Sequence, residues 1–183
     1  MNITWLTENE NKGKWEENRI LLRNLYYSDT YNEEYYLRAV NECWYVLIDW
    51  NFIENVGLNY NDFRADIENY LNIGYSLFNS DARFIWMVGN MMTLFPELFA
   101  NEREYESKIK NKGVELLNKG RIMYPDNAFI KVIYDGVVCG CNSSSDSEAA
   151  RKITDNLNLY FPGNSRIEQY YSEFFINAVR CVH

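Results

Sequence analysis

The sequence predicts an all-α protein of about eight helices stacked as antiparallel hairpins. Apolar residues recur at helical spacing along nearly the whole chain, and no stretch alternates between apolar and polar residues as a half-buried strand would. Only three prolines and nine glycines interrupt the chain, and most breaks in the apolar pattern coincide with capping or turn residues. At 183 residues, the chain is long enough to form a single domain with a sizeable core.

Four helices are predicted in the first half of the chain. Their approximate ranges are residues 14–27, 31–53, 62–78 and 80–95. Thr30 and Glu33 have the spacing of a capping box and mark the start of the second helix. Pro96 ends the fourth helix, because proline cannot continue a helix from that position.

Four more helices are predicted in the second half. Their approximate ranges are residues 101–123, 128–138, 145–160 and 165 to near the C-terminus. The turns Tyr124-Pro125-Asp126-Asn127 and Phe161-Pro162-Gly163-Asn164 align with an offset of 37 residues. Repeats of that length are typical of helical solenoids. Pro125 and Pro162 are therefore each predicted to end a helix, with a new hairpin element following.

The helix before the first of these turns resembles the second helix of a tetratricopeptide repeat. Gly113, Leu117, Gly120 and Pro125 have the small–large–small–proline spacing of that family. Small residues let two helices approach closely, and the proline ends the helix. The resemblance covers about residues 82–173 and implies a degenerate tetratricopeptide-like α-solenoid, because the spacing between hairpins is irregular.

Negative charge is concentrated in residues 29–68. This stretch contains nine acidic residues and two arginines, a net charge of −7, compared with −8 for the whole chain. Twelve aromatic residues between positions 26 and 70 are interleaved with these acids. Charge determines solubility and partners more than it determines fold. The distribution therefore predicts a basic binding partner.

The second predicted helix has two distinct faces. One face carries apolar residues, Tyr36 and Trp44 among them, and is predicted to be the core face. The opposite face mixes acids with aromatic residues. The residues predicted to contact the partner, on this helix and the next, are Glu34, Tyr35, Glu42, Tyr45, Asp49, Asp62 and Asp66. The acids are expected to be exposed because a buried unpaired carboxylate is costly. The aromatic residues either contact the partner or cover an adjacent helix.

No catalytic or metal-binding arrangement is recognisable in the sequence. The only histidine is His183, Cys139-Gly140-Cys141 lacks a second ligand pair for zinc, and there is no glycine-rich phosphate loop. No catalytic residue, cofactor or metal is expected. The basic segment 107–131 is interpreted as a solvated helix surface or a counterpart to the acidic half, because the overall negative charge argues against a nucleic-acid partner. No membrane association is expected either.

These observations predict a non-enzymatic, cytoplasmic binding protein that neutralises a basic partner; no signal peptide is recognisable at the N-terminus. In type, the chain is similar to the immunity proteins of bacterial toxin systems, including those of contact-dependent growth inhibition. That resemblance implies that the partner is a nuclease toxin domain whose nucleic-acid site is covered by carboxylates. The alternative is a tetratricopeptide-type adaptor or secretion chaperone that holds an extended peptide.

Overall fold

In the computed structural model, which describes residues 4–100, 103–140, 147–162 and 164–180, these residues form ten α-helices and no strand. The prediction of an all-α protein is confirmed, and the helices are more numerous than the eight predicted. The helices are α1 Thr4–Asn11, α2 Trp15–Ser28, α3 Glu33–Ile48, α4 Tyr60–Leu77, α5 Ala82–Leu94, α6 Arg103–Met123, α7 Ala128–Tyr134, α8 Ser147–Thr154, α9 Leu157–Tyr160 and α10 Arg166–Arg180. A 3₁₀ turn covers Pro96–Leu98, and a π-helical turn covers Asp135–Cys139.

The chain divides into two compact units. Unit 1 comprises Met1–Phe78 with Asn164–Ile167, and unit 2 comprises Asn79–Gly163 with Glu168–His183. Unit 1 contains seven basic and thirteen acidic residues, whereas unit 2 contains eleven basic and thirteen acidic residues. Most of the net negative charge therefore belongs to unit 1.

Unit 1 is built around an aromatic core to which α2, α3 and α4 each contribute. Tyr26, Tyr36 and Tyr70, one from each helix, meet edge to face with ring centroids 5.4 to 6.4 Å apart, a favoured geometry for aromatic pairs. Trp15 and Trp44 are fully buried in the same unit. Because α3 packs against both α2 and α4, eleven of its 16 residues are buried.

In unit 2, α5 and α6 approach each other closely at glycines. A Cβ on Gly113 would lie 2.6 Å from Oγ1 of Thr93, and a Cβ on Gly120 would lie 2.5 Å from Cγ2 of Ile85. Leu117, which lies between these two glycines in the sequence, is fully buried. The small–large–small spacing seen in the sequence therefore marks a close helix contact, in which any side chain larger than hydrogen would collide.

Both prolines predicted to end helices do so. Pro125 follows the end of α6, and Pro162 follows the end of α9. The asparagine in the first of these turns, Asn127, caps α7: its side chain accepts a hydrogen bond from the backbone nitrogen of Ile130 at 3.1 Å. The helix-ending role of these turns is thus confirmed.

The second predicted helix is shorter than expected. It is α3, which begins at Glu33 and ends at Ile48 instead of covering residues 31–53. Its cap is Asn32, whose Oδ1 accepts a hydrogen bond from the backbone nitrogen of Tyr35 at 3.2 Å, so the cap predicted at Thr30 is wrong. Either residue type can cap a helix, and the sequence spacing did not distinguish them.

Other boundaries also differ from the prediction. Helix α1 was not predicted, and the seventh predicted helix is divided into α8 and α9 by a turn at residues 155–156. The fourth predicted helix begins near residue 80 as expected, and Asp81 caps it by accepting hydrogen bonds from the backbone nitrogens of Arg83 and Phe84. The predicted starts of the fifth and seventh helices, Asn101 and Ser145, lie outside the described residues.

Candidate protein-binding site

Exposed apolar residues lie beside acidic residues where the chain passes from α3 to α4. We define the acidic corner as Asp49, Phe52, Glu54, Val56 and Asp62. Phe52 and Val56 are 87% and 88% exposed. Glu54 and Asp62 are exposed and Asp49 is half-buried. Exposed apolar side chains rimmed by polar groups mark a protein-binding surface when they form a contiguous patch, which makes the acidic corner a candidate for one.

Consecutive turns hold the loop of the acidic corner in place. The backbone nitrogen of Phe52 donates to the carbonyl of Asp49 at 2.8 Å, and Nδ2 of Asn55 donates to the carbonyl of Trp50 at 3.0 Å. Gly57 has a φ of 83°, a conformation that glycine adopts without strain. The loop therefore has a defined backbone path.

Two side chains anchor this loop to unit 1. Ile53, between the exposed Phe52 and Glu54, is only 7% exposed. The ring of Trp50 packs edge to face against Tyr60 at the start of α4, with centroids 5.1 Å apart. The anchors fix both ends of the segment that carries Phe52, so its exposure is not the result of an unpacked chain.

Tyr45 positions a carboxylate of the acidic corner. Its Oη donates a hydrogen bond to Oδ2 of Asp49 at 3.1 Å, and its ring packs against Trp15 with centroids 5.4 Å apart. Tyr45 itself is 9% exposed. It therefore orients Asp49 from beneath and does not present its own ring to solvent.

The prediction that Glu42 faces solvent is wrong. For Tyr45 the second of the two alternatives holds, because its ring covers the adjacent helix α2 at Trp15. Glu42 is fully buried, and Tyr45 is nearly so. The prediction assumed that α3 has one buried face, whereas α3 packs against α2 and α4 together and also meets α1 through Arg38 and Glu10. A helix with neighbours on several sides buries residues on its second face as well.

Glu42 belongs to a buried polar cluster that joins α1, α2 and α3. We define the polar cluster as Asn9, Glu10, Asn18, Arg38 and Glu42. Arg38 forms an ion pair with Glu10, and Nδ2 of Asn18 donates to a backbone carbonyl of α1 at 2.9 Å. Burial raises the pKa of Glu42 to about 7, against the opposing effects of the Arg38 charge and the Asn18 amide.

Asp66 is engaged in an ion-pair network within unit 1. Nη1 of Arg19 donates to Oδ2 of Asp66 at 2.6 Å, while Nε and Nη2 donate to the carboxylate of Glu16 at 2.8 and 2.6 Å. The hydrogen bond to Glu16 is the largest of the effects that raise the pKa of Arg19. Asp62 approaches Arg19 only to 3.9 Å, and its side chain is 50% exposed. Asp66 therefore holds helices together, and Asp62 remains at the surface.

Glu34 and Tyr35 lie far from the acidic corner. They occupy the first turn of α3, whereas Asp49 follows its last turn. At 1.5 Å per residue, Glu34 and Asp49 are separated by about 22 Å along the helix axis. The structure therefore places Asp49 and Asp62 at the two ends of the segment that joins α3 to α4. It leaves Glu34 and half-buried Tyr35 at the opposite end of α3 and buries the other three predicted residues to differing degrees.

Sequence reasoning missed Glu54 and Val56 as candidate contact residues. It placed Phe52 on the acidic face of the second predicted helix, among the aromatic residues with two possible roles. The available signal was the composition of residues 51–59, which contain three asparagines and one glycine, as is typical of a loop. Because the second helix was predicted to extend to residue 53, the start of this loop was not recognised. Once the helix ends at Ile48, a charged and apolar loop is recognisable as a candidate contact segment.

The described residues offer no group of three or more His, Cys, Asp or Glu side chains able to hold a metal ion, and none of their helices is both long and apolar enough to cross a membrane. Cys43 is a buried free cysteine, and burial raises the pKa of its thiol, which disfavours the reactive thiolate.

No protein-family model matches the chain, and neither a curated protein nor a solved structure matches it.

Proposed function

We propose that this chain is a non-enzymatic binding protein whose acidic corner docks on a basic protein partner. The observation that carries the proposal is an anchored loop that exposes Phe52, Glu54 and Val56. The loop lies between Asp49 at the end of α3 and Asp62 in the first turn of α4. Apolar anchors supply most of the binding free energy at protein interfaces, while charges at the rim guide association and orientation.

The electrostatic environment of the corner supports a basic partner. No lysine or arginine occurs between Arg38 and Arg64 in the sequence. Arg64 is itself within 3.4 Å of Glu68, so its charge is partly balanced. Several acids of unit 1 are used internally, among them Glu10 and Asp66. The three acids of the corner then account for a larger share of the charge that reaches solvent.

Within this class, we propose an immunity protein that blocks a nuclease toxin domain. An enzyme that binds nucleic-acid phosphates carries a basic surface. An acidic partner is attracted to that surface and competes with the nucleic acid for it. The protein would act in the bacterial cytoplasm, where such a toxin meets its nucleic-acid substrate.

A second candidate function is that of a tetratricopeptide-like adaptor that holds an extended peptide. The close α5–α6 contact at Gly113 and Gly120 favours it, because stacked helical hairpins with small residues at their crossings are the building blocks of such arrays. The two functions differ in the client. An immunity protein binds a folded basic domain, whereas an adaptor binds an unfolded segment.

The decisive experiment compares two charge-reversed variants in binding to a purified basic nuclease domain encoded beside this gene. Asp49→Lys with Glu54→Lys alters the acidic corner. Glu115→Lys with Asp155→Lys is a matched control on exposed acids of unit 2. We expect association of the corner variant to slow by about tenfold or more at low salt, and the control to remain close to the unmodified protein.

The outcomes separate the candidates. Equal binding by both variants would remove the acidic corner as the interface. Binding of the denatured nuclease, or of short peptides from it, at full affinity would favour the adaptor. Protection of cells that co-express the nuclease, lost in the corner variant and kept in the control, would establish the immunity function.

A further inference from the structure

Helix α1 is attached to unit 1 mainly through polar groups. It has eight residues, of which only Leu6, Asn9 and Glu10 are buried. An isolated helix of this length is unstable in water. A single buried leucine contributes only about 2 kcal/mol, so the order of α1 depends on its polar contacts with the rest of unit 1.

Those contacts converge on one arginine and one asparagine. Arg38 of α3 forms an ion pair with Glu10, and Asn18 of α2 donates to the carbonyl of Leu6 at 2.9 Å. An exposed hydrogen bond from Asn11 adds to these. Because Glu10 is fully buried, its charge is tolerated only while Arg38 balances it.

Arg38 has a second buried carboxyl group within reach. Glu42 lies four residues further along α3, the spacing at which charged side chains on one helix meet, and it is fully buried. One guanidinium cannot balance two ionised carboxylates. A second negative charge in this cluster would leave one carboxylate buried without compensation, which is costly.

We propose that α1 is a proton-dependent clasp, which stays docked while Glu42 is protonated and is released when Glu42 ionises and takes Arg38 from Glu10. The proposal is independent of the proposed function. Release separates Glu10 from the interior and exposes it to water, so that only one carboxylate remains beside Arg38. Loss of the ion pair also removes the main polar contact of a helix too short to persist alone.

The pH range of the transition follows from the two states of Glu42. Burial in the docked state raises its pKa from 4.5 to about 7. In the released state Glu42 meets Arg38 and water, so its pKa returns to the ordinary value or below. Release is then coupled to the loss of one proton. It becomes about tenfold more favourable per pH unit between about 5 and 7, and it levels off above 7 because Glu42 is ionised in both states.

The charge that acts on Glu42 is that of Arg38 on its own helix, and Arg38 is paired with Glu10 of α1. The neighbouring residue Cys43 is also affected by Arg19 and Glu16 of α2 and by Asp66 of α4, which form the ion-pair network described above. Burial raises the pKa of the Cys43 thiol, which therefore stays neutral across this range. The arginines stay cationic.

Amide hydrogen exchange across pH 5 to 8 tests the clasp, once rates are corrected for the intrinsic effect of pH. We expect protection of the α1 amides to fall by about fiftyfold over this range and to stay below protection of the α4 amides, because α1 opens without the rest of unit 1. Glu42→Gln cannot ionise, so its α1 amides should remain protected at pH 8. Glu54→Gln is the matched control on an exposed residue and should keep the pH dependence of the unmodified protein.

A pH-independent protection of α1 in the unmodified protein would overturn the proposal, as would an unchanged pH dependence in Glu42→Gln. If Glu42→Gln does not fold, Glu10→Gln provides the test. That variant lacks the ion pair at every pH, so its α1 amides should already be poorly protected at pH 5. Full protection in Glu10→Gln would show that the ion pair with Arg38 does not hold α1.

Discussion

Arg19 on α2 donates a hydrogen bond from Nη1 to Oδ2 of Asp66 on α4, at a distance of 2.6 Å. The arginine side chain is 8% exposed and that of Asp66 is 14% exposed, and the guanidinium carbon lies 5.4 Å from the ring centroid of Phe63. Partly buried, doubly supported ion pairs of this kind are costly to break. Asp66 therefore stabilises unit 1, although the negative charge of residues 29–68 led to the prediction that it contacts a partner.

Replacing Asp66 should weaken the fold of unit 1. Asp66→Asn removes one partner of a buried arginine, and we expect the free energy of unfolding to fall by about 2 kcal/mol, because Arg19 keeps its bonds to Glu16. Asp62→Asn is the control, since Asp62 is 3.9 Å from Arg19 and half exposed. Its effect should stay within about 0.5 kcal/mol. Urea denaturation measures both, and equal effects would contradict the assignment.

A methyl group added at the close contact between α5 and α6 should destabilise the protein. In Gly120→Ala the new Cβ would lie 2.5 Å from Cγ2 of Ile85, so we expect a destabilisation of about 1–3 kcal/mol from the forced rearrangement. Gly136→Ala is the control, because a Cβ there meets no atom within 4 Å. Thermal denaturation of the two variants gives the comparison. A neutral Gly120→Ala would show that the helices separate at little cost.

The buried Glu42 should make stability depend on pH. Because burial raises its pKa from 4.5 to about 7, the folded protein binds a proton more tightly than the unfolded chain. The free energy of unfolding should therefore fall as pH rises through this window, by up to about 3 kcal/mol at 1.4 kcal/mol per unit. Glu42→Gln should lose this component. Denaturation of both proteins at pH 5 and pH 8 measures it, and parallel pH profiles would refute it.

Phe52 should contribute to binding without contributing to folding. It is 87% exposed, so Phe52→Ala should leave the unfolding transition unchanged. If it is a central anchor, dissociation of the basic partner should speed up, at a cost of about 2 kcal/mol. Ile122→Ala, at a residue of unit 2 that is 82% exposed, should leave dissociation unaltered. Surface plasmon resonance separates the two rates, and an unchanged rate for Phe52→Ala would exclude it from the interface.

The candidate site was only partly accessible to sequence reasoning. Asp49 and Asp62 are predicted from the sequence to contact a partner, and both belong to the acidic corner, the candidate site. Glu42 was assigned to the outer face of a helix that in fact has several neighbours, so its burial was not visible from its spacing. The environment of Phe52 depends on where α3 ends, because a residue beyond the last turn belongs to the loop and not to a face of the helix.

Local sequence patterns are sufficient to establish that the chain is helical and where most of its helices end. Those properties depend on local interactions: caps such as Asp81 and Asn127, prolines such as Pro125, and apolar periodicity within one helix. Which acids are exposed is instead a property of the tertiary packing. Whether Glu42 or Asp66 meets water depends on how many helices surround α3 and α4 and which arginine reaches them. Those contacts join residues up to 47 positions apart, which no local pattern specifies.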